Sequence, residues 1–375
     1  MPIRRGTVTE LQPDTPVRAA RAAARGRVAR RRLVALGSLL VVFVAIVAVV
    51  VVTLRKSAPA GAPPPARATH HGGRRASGPV ARVTQVGTLA SAISDAGAAP
   101  SGGDGAILVG GLDSANTPID TIQSFDGSTT HSVGTLPGPV GSPGEALLDK
   151  VIYLFGGADS SASSSSIVSV TTDGASSTVV GQLPQAMSGA AAASADGTAY
   201  IFGGEDTTGD LDSILSFTAS AGVTSVGTLP GALSDATAVS YGGDIYVIGG
   251  AVGKQAIRSI YRFDPAAKSV TKIAELPVAL SAAASASIGK ELVVFGGDRT
   301  VGARASDAIL GIDPASGRVT TLGKLPVALA GAVAVSLPGA ALVMGGVEPD
   351  GQANSAIFRV QIVAHPARST RKRGG

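Results

Sequence analysis

From residue 80 onward the chain alternates short apolar runs with clusters of Gly, Pro, Asp and Ser. The unit is clearest at Leu233–Tyr241 (LSDATAVSY), Asp244–Gly250 (DIYVIGG), Arg258–Asp264 (RSIYRFD) and Lys268–Leu276 (KSVTKIAEL). Runs of this length, rich in Val, Ile, Tyr and Thr, predict strands rather than helices. Gly242-Gly243 and Pro265 supply the turns between them.

The unit recurs six times. An apolar run ends in Gly-Gly at Gly110-Gly111, Gly156-Gly157, Gly203-Gly204, Gly249-Gly250, Gly296-Gly297 and Gly345-Gly346, in steps of 46, 47, 46, 47 and 49 residues. A second marker, Leu-Pro, keeps step with it at Leu136, Leu183, Leu229, Leu276 and Leu325, with Leu89-Ala90 in the equivalent place before them. A four-stranded antiparallel unit repeated radially predicts an all-β six-bladed propeller. The double glycine is expected inside a strand, where a neighbouring backbone comes close.

The sixth unit has three strands, at Leu329–Leu337, Ala340–Gly346 and Ser355–Ile362, and then ends. The missing fourth matches Ala81–Leu89 (ARVTQVGTL) at the other end. These two segments are therefore expected to pair and close the ring, which protects edges that open sheets would expose.

The apolar run to Gly-Gly, the loop, and then Phe263-Asp264-Pro265 or Ile312-Asp313-Pro314 resemble kelch repeats over residues 81–363. Kelch repeats usually carry a Trp in the fourth strand, and this chain has none. Val133, Val180, Val226, Ile273 and Leu322 are expected to fill that core position. The resemblance implies that ligands meet the loops joining strand 4 to the next strand 1, and strand 2 to strand 3. Relatives of this class include copper radical oxidases, whose Cys–Tyr crosslink a chain without Cys cannot make. They also include sialic acid mutarotase, whose site needs titratable groups at the mouth.

Charge divides the chain into parts. Residues 1–54 carry nine Arg and two acids, and residues 55–79 five bases and no acid. Residues 80–363 carry 13 Lys/Arg against 24 Asp/Glu, hence 13 − 24 = −11, and residues 364–375 carry four bases and no acid. An acidic propeller lacks the basic face that nucleic acid requires. Residues 1–32 read as a basic tail.

Residues 33–54 (LVALGSLLVVFVAIVAVVVVTL) hold no charge. At about 1.5 Å per residue they span roughly 33 Å, enough for one transmembrane helix. The run is long for a signal peptide, although Ala58-Pro59-Ala60 resembles a cleavage site. The Arg excess before it places the N-terminus in the cytoplasm and the propeller outside. Residues 55–79 read as an Ala/Pro/Gly linker and 364–375 as a second basic tail.

Asp95 and Asp235 hold the same repeat position in opposite blades and are expected to face each other across the mouth, where a cation or polyol would fit. The alternative is that each caps its own turn. The longer loops carry Asp113, Asp159, Asp206 and Glu348 on blades 1, 2, 3 and 6, and Lys254, Arg299 and Arg304 on blades 4 and 5. Glu205–Asp212 (EDTTGDLD) is acidic enough to raise calcium, without EF-hand spacing. No catalytic set, metal site or cofactor is expected: of four His, two lie in the linker, one in the tail and one, His131, on an outer strand. The sequence thus predicts a membrane-tethered extracytoplasmic module of a bacterial envelope, binding a protein or a cell-envelope glycan. The alternative is a carbohydrate-active isomerase or lyase at the mouth.

Overall fold

The computed structural model describes residues 78–302 and 304–364. These form six four-stranded antiparallel sheets whose strands pair in chain order, except that the sixth takes its outer strand from the start of the chain. Blade 1 holds Gly97–Gly102, Gly105–Val109, Thr121–Phe125 and Thr130–Thr135. Blade 2 begins at Gly144–Leu148, blade 3 at Ala191–Ala195, blade 4 at Thr237–Tyr241, blade 5 at Ala284–Ile288 and blade 6 at Val333–Leu337. The closing strand is where the sequence places it. Pro79–Thr88 pairs with Ala356–Ala364, with Val83 opposite Val360 and Ala81 opposite Ile362. The predicted span and its flanking tail and linker, up to residue 77, lie outside the described residues. Among the described residues no helix is long and apolar enough to cross a membrane.

Composition follows from radial geometry. First strands converge on the axis, where only small side chains fit, hence Ala98, Ala191, Ala193, Ala284 and Ala286. Second strands are covered on both faces by neighbouring blades, so they read as continuous apolar runs such as AILV and AALVM. Further out, aromatic rings span the gaps between blades. Tyr153 and Phe155 of blade 2 meet Phe217 of blade 3 at 4.9 and 5.3 Å, and Tyr200 and Phe202 of blade 3 meet Phe263 of blade 4 at 5.0 and 5.4 Å. Tilted and edge-on pairs at these distances add about 0.5–1.5 kcal/mol each beyond area burial.

Two expectations need correction. The double glycines lie just past the end of the second strand, not inside it, and both members have positive φ, 61° and 98° at Gly110 and Gly111. The close approach is real. The second glycine donates its N–H to a carbonyl in the loop entering the next blade, as Gly111 does to Val140 and Gly346 to Ile93, both at 2.8 Å.

Two of the five Trp-equivalent positions also differ from expectation, while Val226 and Ile273 pack against the core as expected. Leu322 is 3% exposed, but Val133 is 36% and Val180 49% exposed. The outer-strand pairing shifts register at these positions in every blade, for example between the partners of Ile122 and Gln123 and between those of Ile167 and Val168. Each is therefore the extra residue of a β-bulge, and what packs beside it decides its burial, since Leu322 is bulged and buried alike. Between blades 1 and 2 the turn at Gly174 occupies the space instead, against Val133, Ile122 and Ile107.

Candidate functional site

Strands 2 and 1 both end in loops at one end of the ring, and the two loop sets are bridged. Ser94 pairs with Leu112, Gly141 with Ala158, Ser188 with Glu205, Ser234 with Ala251, Ser281 with Asp298 and Ala330 with Val347. The site residues expected from sequence therefore share one face, the mouth. Pro79 and Ala364, paired at the far end of the closing strand, lie at the opposite face.

The predicted first strands Leu233–Tyr241 and Leu329–Leu337 begin four residues late, at Thr237 and Val333. The residues lost from the strands build the mouth. One residue per blade, Asp95, Ser142, Gly189, Asp235, Ala282 and Gly331, adopts positive φ between 47° and 61°. Their backbones form a closed cycle. Asp95 N–H donates to Gly331, Ser142 to Asp95, Gly189 to Ser142, Asp235 to Gly189, Ala282 to Asp235 and Gly331 to Ala282, all at 2.8–2.9 Å. The cycle reads Asp-Ser-Gly and then Asp-Ala-Gly, so the two aspartates stand opposite one another.

Within this ring lies a cavity of about 170 Å³, lined by Asp95, Glu145 and Asp235 among alanines from the innermost strands. Neither aspartate caps its own turn. The Asp235 carboxylate lies over Gly189, 2.7 Å from where a side chain there would begin, and the Asp95 carboxylate lies over Gly331 in the same way at 2.5 Å. Burial pushes Asp95 up to about 6. Burial, followed by the charge of Asp95 and of Glu205, Asp210 and Asp298 on the rim, pushes Asp235 up to about 7. Thr237 Oγ1 and Ser285 Oγ meet at 2.7 Å in the same wall.

Glu145 was not legible as a site residue by motif. Burial pushes it up to about 8, against the pull of the Ala98 N–H. The signal lay in the register. Opposite the middle of each second strand stand Ala98, Glu145, Ala192, Ala238, Ser285 and Ala334, five small residues and one acid.

The loop acids behave differently. Asp113 accepts the N–H groups of Ala115 and Thr117, and Asp159 those of Ser161 and Ala162. Asp206 accepts from Thr208 and Gly209, and Glu348 from the Asn354 amide. Hydrogen bonds from Ser161 and Thr208 hold Asp159 and Asp206 below the usual carboxylate range. The three aspartates form Asx-type turns. In Glu205–Asp212, Asp206 serves its own turn and Asp210 accepts the Gly253 N–H of blade 4, so the oxygens do not converge on one point. Among the described residues no three His, Cys, Asp or Glu form a group able to hold a metal ion. Asp298 is 7% exposed and accepts the Gly302 N–H, while its neighbour Arg299 is exposed. Lys254, Arg299 and Arg304 are exposed and form no ion pair among the described residues.

A family model described as the KLHDC2/KLHL20/DRC7 Kelch-repeats domain matches residues 98–297 and 145–346. No curated protein matches. A solved structure described as "Structure of YjhT" is similar over 74% of this chain and 99% of that chain, with TM-score 0.64 and 17% identity, a likeness of fold.

Proposed function

This chain belongs to the kelch-repeat family, and we propose that it is a membrane-tethered, extracytoplasmic binding module whose mouth face holds a protein partner or a cell-envelope glycan. The carrying observation is the division of charge on that face. Asp113, Asp159, Asp206 and Glu348 are committed to their own loops, whereas Lys254, Arg299 and Arg304 on blades 4 and 5 have no carboxylate partner among the described residues. The basic side of this face, on blades 4 and 5, suits an acidic patch on a partner surface. Tethering rests on the uncharged run 33–54 and on the basic residues before it.

The test is binding by immobilised full-length protein, read against solubilised envelope proteins and against glycans. Charge reversal at Lys254, Arg299 and Arg304 is expected to abolish retention of the partner. A partner retained equally well by the reversed protein would remove this face from the reading.

The cavity favours a second reading, a carbohydrate-active isomerase or lyase. Three carboxyl groups pushed to between about 6 and about 8 lie in the range where one group can give and take a proton near neutrality. Sugar turnover lost in Asp95→Asn, Glu145→Gln and Asp235→Asn would support it. Turnover unchanged in all three would remove it.

A further inference from the structure

The axial cavity differs from the loops around it in having no cation to balance its acids. Asp95 of blade 1, Glu145 of blade 2 and Asp235 of blade 4 line it, and no Lys, Arg or His does. The charged groups that act on it from the rim are Glu205 and Asp210 of blade 3 and Asp298 of blade 5, again all acids. Lys254, Arg299 and Arg304 stand on the outer loops and do not line it.

Both aspartates are also links in the backbone cycle. Asp95 donates its N–H to Gly331, and its carbonyl accepts from Ser142. Asp235 donates its N–H to Gly189, and its carbonyl accepts from Ala282. Force on either carboxylate is therefore delivered to two ring bonds. The ring is already strained. Asp95, Ser142, Asp235 and Ala282 hold left-handed φ without being glycine, a region that costs L residues energy and that alanine cannot offset with a local side-chain bond.

We propose that the mouth is an acid-closed iris. With Asp95, Glu145 and Asp235 protonated, the cavity is neutral and the six backbone bonds hold. When the three release their protons to solvent, like charges repel across the axis, and the ring bonds made by Asp95 and Asp235 loosen before the rest of the fold. Burial moves all three groups upward, with the charge of Asp298 adding at Asp95 and that of Asp95 and the rim acids adding at Asp235, which brings this change close to neutral pH.

Native-state hydrogen exchange on the full-length protein tests this. The amides of Asp95, Ser142, Gly189, Asp235, Ala282 and Gly331 would be compared at pH 5.5 and 8.5, after correction for the intrinsic pH dependence of exchange. Second-strand amides such as Leu108 and Val247 are the internal reference. Ring protection is expected to fall by about tenfold or more relative to that reference on going to pH 8.5, a factor worth one pK unit of linkage. Asp95→Asn with Asp235→Asn is expected to keep protection at both pH values, and Asp235→Asn alone to reduce the fall should the pair not fold. Equal protection of the native ring at both pH values overturns the iris. So does a full pH-dependent loss that persists in the Asn variants.

Discussion

Asp95 and Gly331 are joined twice across the seam between blades 1 and 6. The Asp95 N–H donates to the Gly331 carbonyl at 2.8 Å, and the Asp95 carboxylate lies where a side chain on residue 331 would have to go. Gly331→Ala would add a Cβ 2.5 Å from Asp95 Oδ1 at a φ of 61°. The left-handed φ alone costs about 1–2 kcal/mol, and displacing the carboxylate adds to it. Denaturant unfolding of Gly331→Ala, Asp95→Ala and the double variant is expected to show coupling, with Asp95→Ala recovering part of the loss. Strict additivity would mean that the two residues do not share this space.

The cavity acids make stability fall as pH rises. Burial holds Glu145 at about 8, Asp235 at about 7 and Asp95 at about 6 in the folded protein, whereas unfolded carboxyls titrate near 4. Below about pH 4 both states hold the protons and there is no penalty. Above it the unfolded chain releases them first, so each group removes stability with rising pH until its folded value is passed. Thermal unfolding from pH 4.5 to 8.5 is expected to show a falling midpoint that Glu145→Gln flattens. The same slope in that variant would show that Glu145 is not held neutral.

The repeat architecture was readable because two markers kept step over six copies, and because the closing strand was written at the wrong end of the chain. The mouth was only half readable. Asp95 and Asp235 stood out as charges in a row of small residues. Glu145 sits three residues beyond the ring position Ser142, within GSPGEALL, and becomes visible only once the register aligns it with Ala98 and Ala192. The bulge at Val133 and Val180 was not readable at all. Pattern alone does not separate a bulged valine that packs from one that stays exposed. The loop acids read as ligands, and their sequence pattern does not show the turn hydrogen bonds that Asp113, Asp159 and Asp206 accept from their own loops.

The closing strand carries the ring. Ala81, Val83 and Ile362 pack against the blade 5 and 6 core around Phe358, and Leu89 N–H reaches Ser355 at 2.7 Å. Deleting residues 1–77 is expected to leave cooperative unfolding of the propeller intact. Deleting residues 1–88 removes the whole strand and exposes the edge of Ala356–Ala364, which invites pairing with other chains. Light scattering and limited proteolysis are expected to separate the two proteins, the shorter one aggregating and being cut. A monomeric, protease-resistant shorter protein would show that the sixth blade is stable with three strands.

Two glycines with the same backbone angle separate conformation from space. Gly203 has φ 61° and Gly242 φ 64°. A Cβ on Gly242, in the turn between the first two strands of blade 4, meets nothing within 4 Å. A Cβ on Gly203 collides with the carbonyl oxygen of Leu233, the acceptor that Gly204 N–H bonds at 2.9 Å to hold blade 3 to blade 4. Gly242→Ala is therefore expected to cost only the backbone preference, about 1–2 kcal/mol. Gly203→Ala carries the same cost and must also break or displace a buried inter-blade hydrogen bond. Leaving its donor unsatisfied adds about 1–3 kcal/mol. Equilibrium denaturation of the two variants side by side reads the difference. Equal losses would mean that the blade seam yields freely at Leu233, and that the double glycines are present for their backbone angle alone.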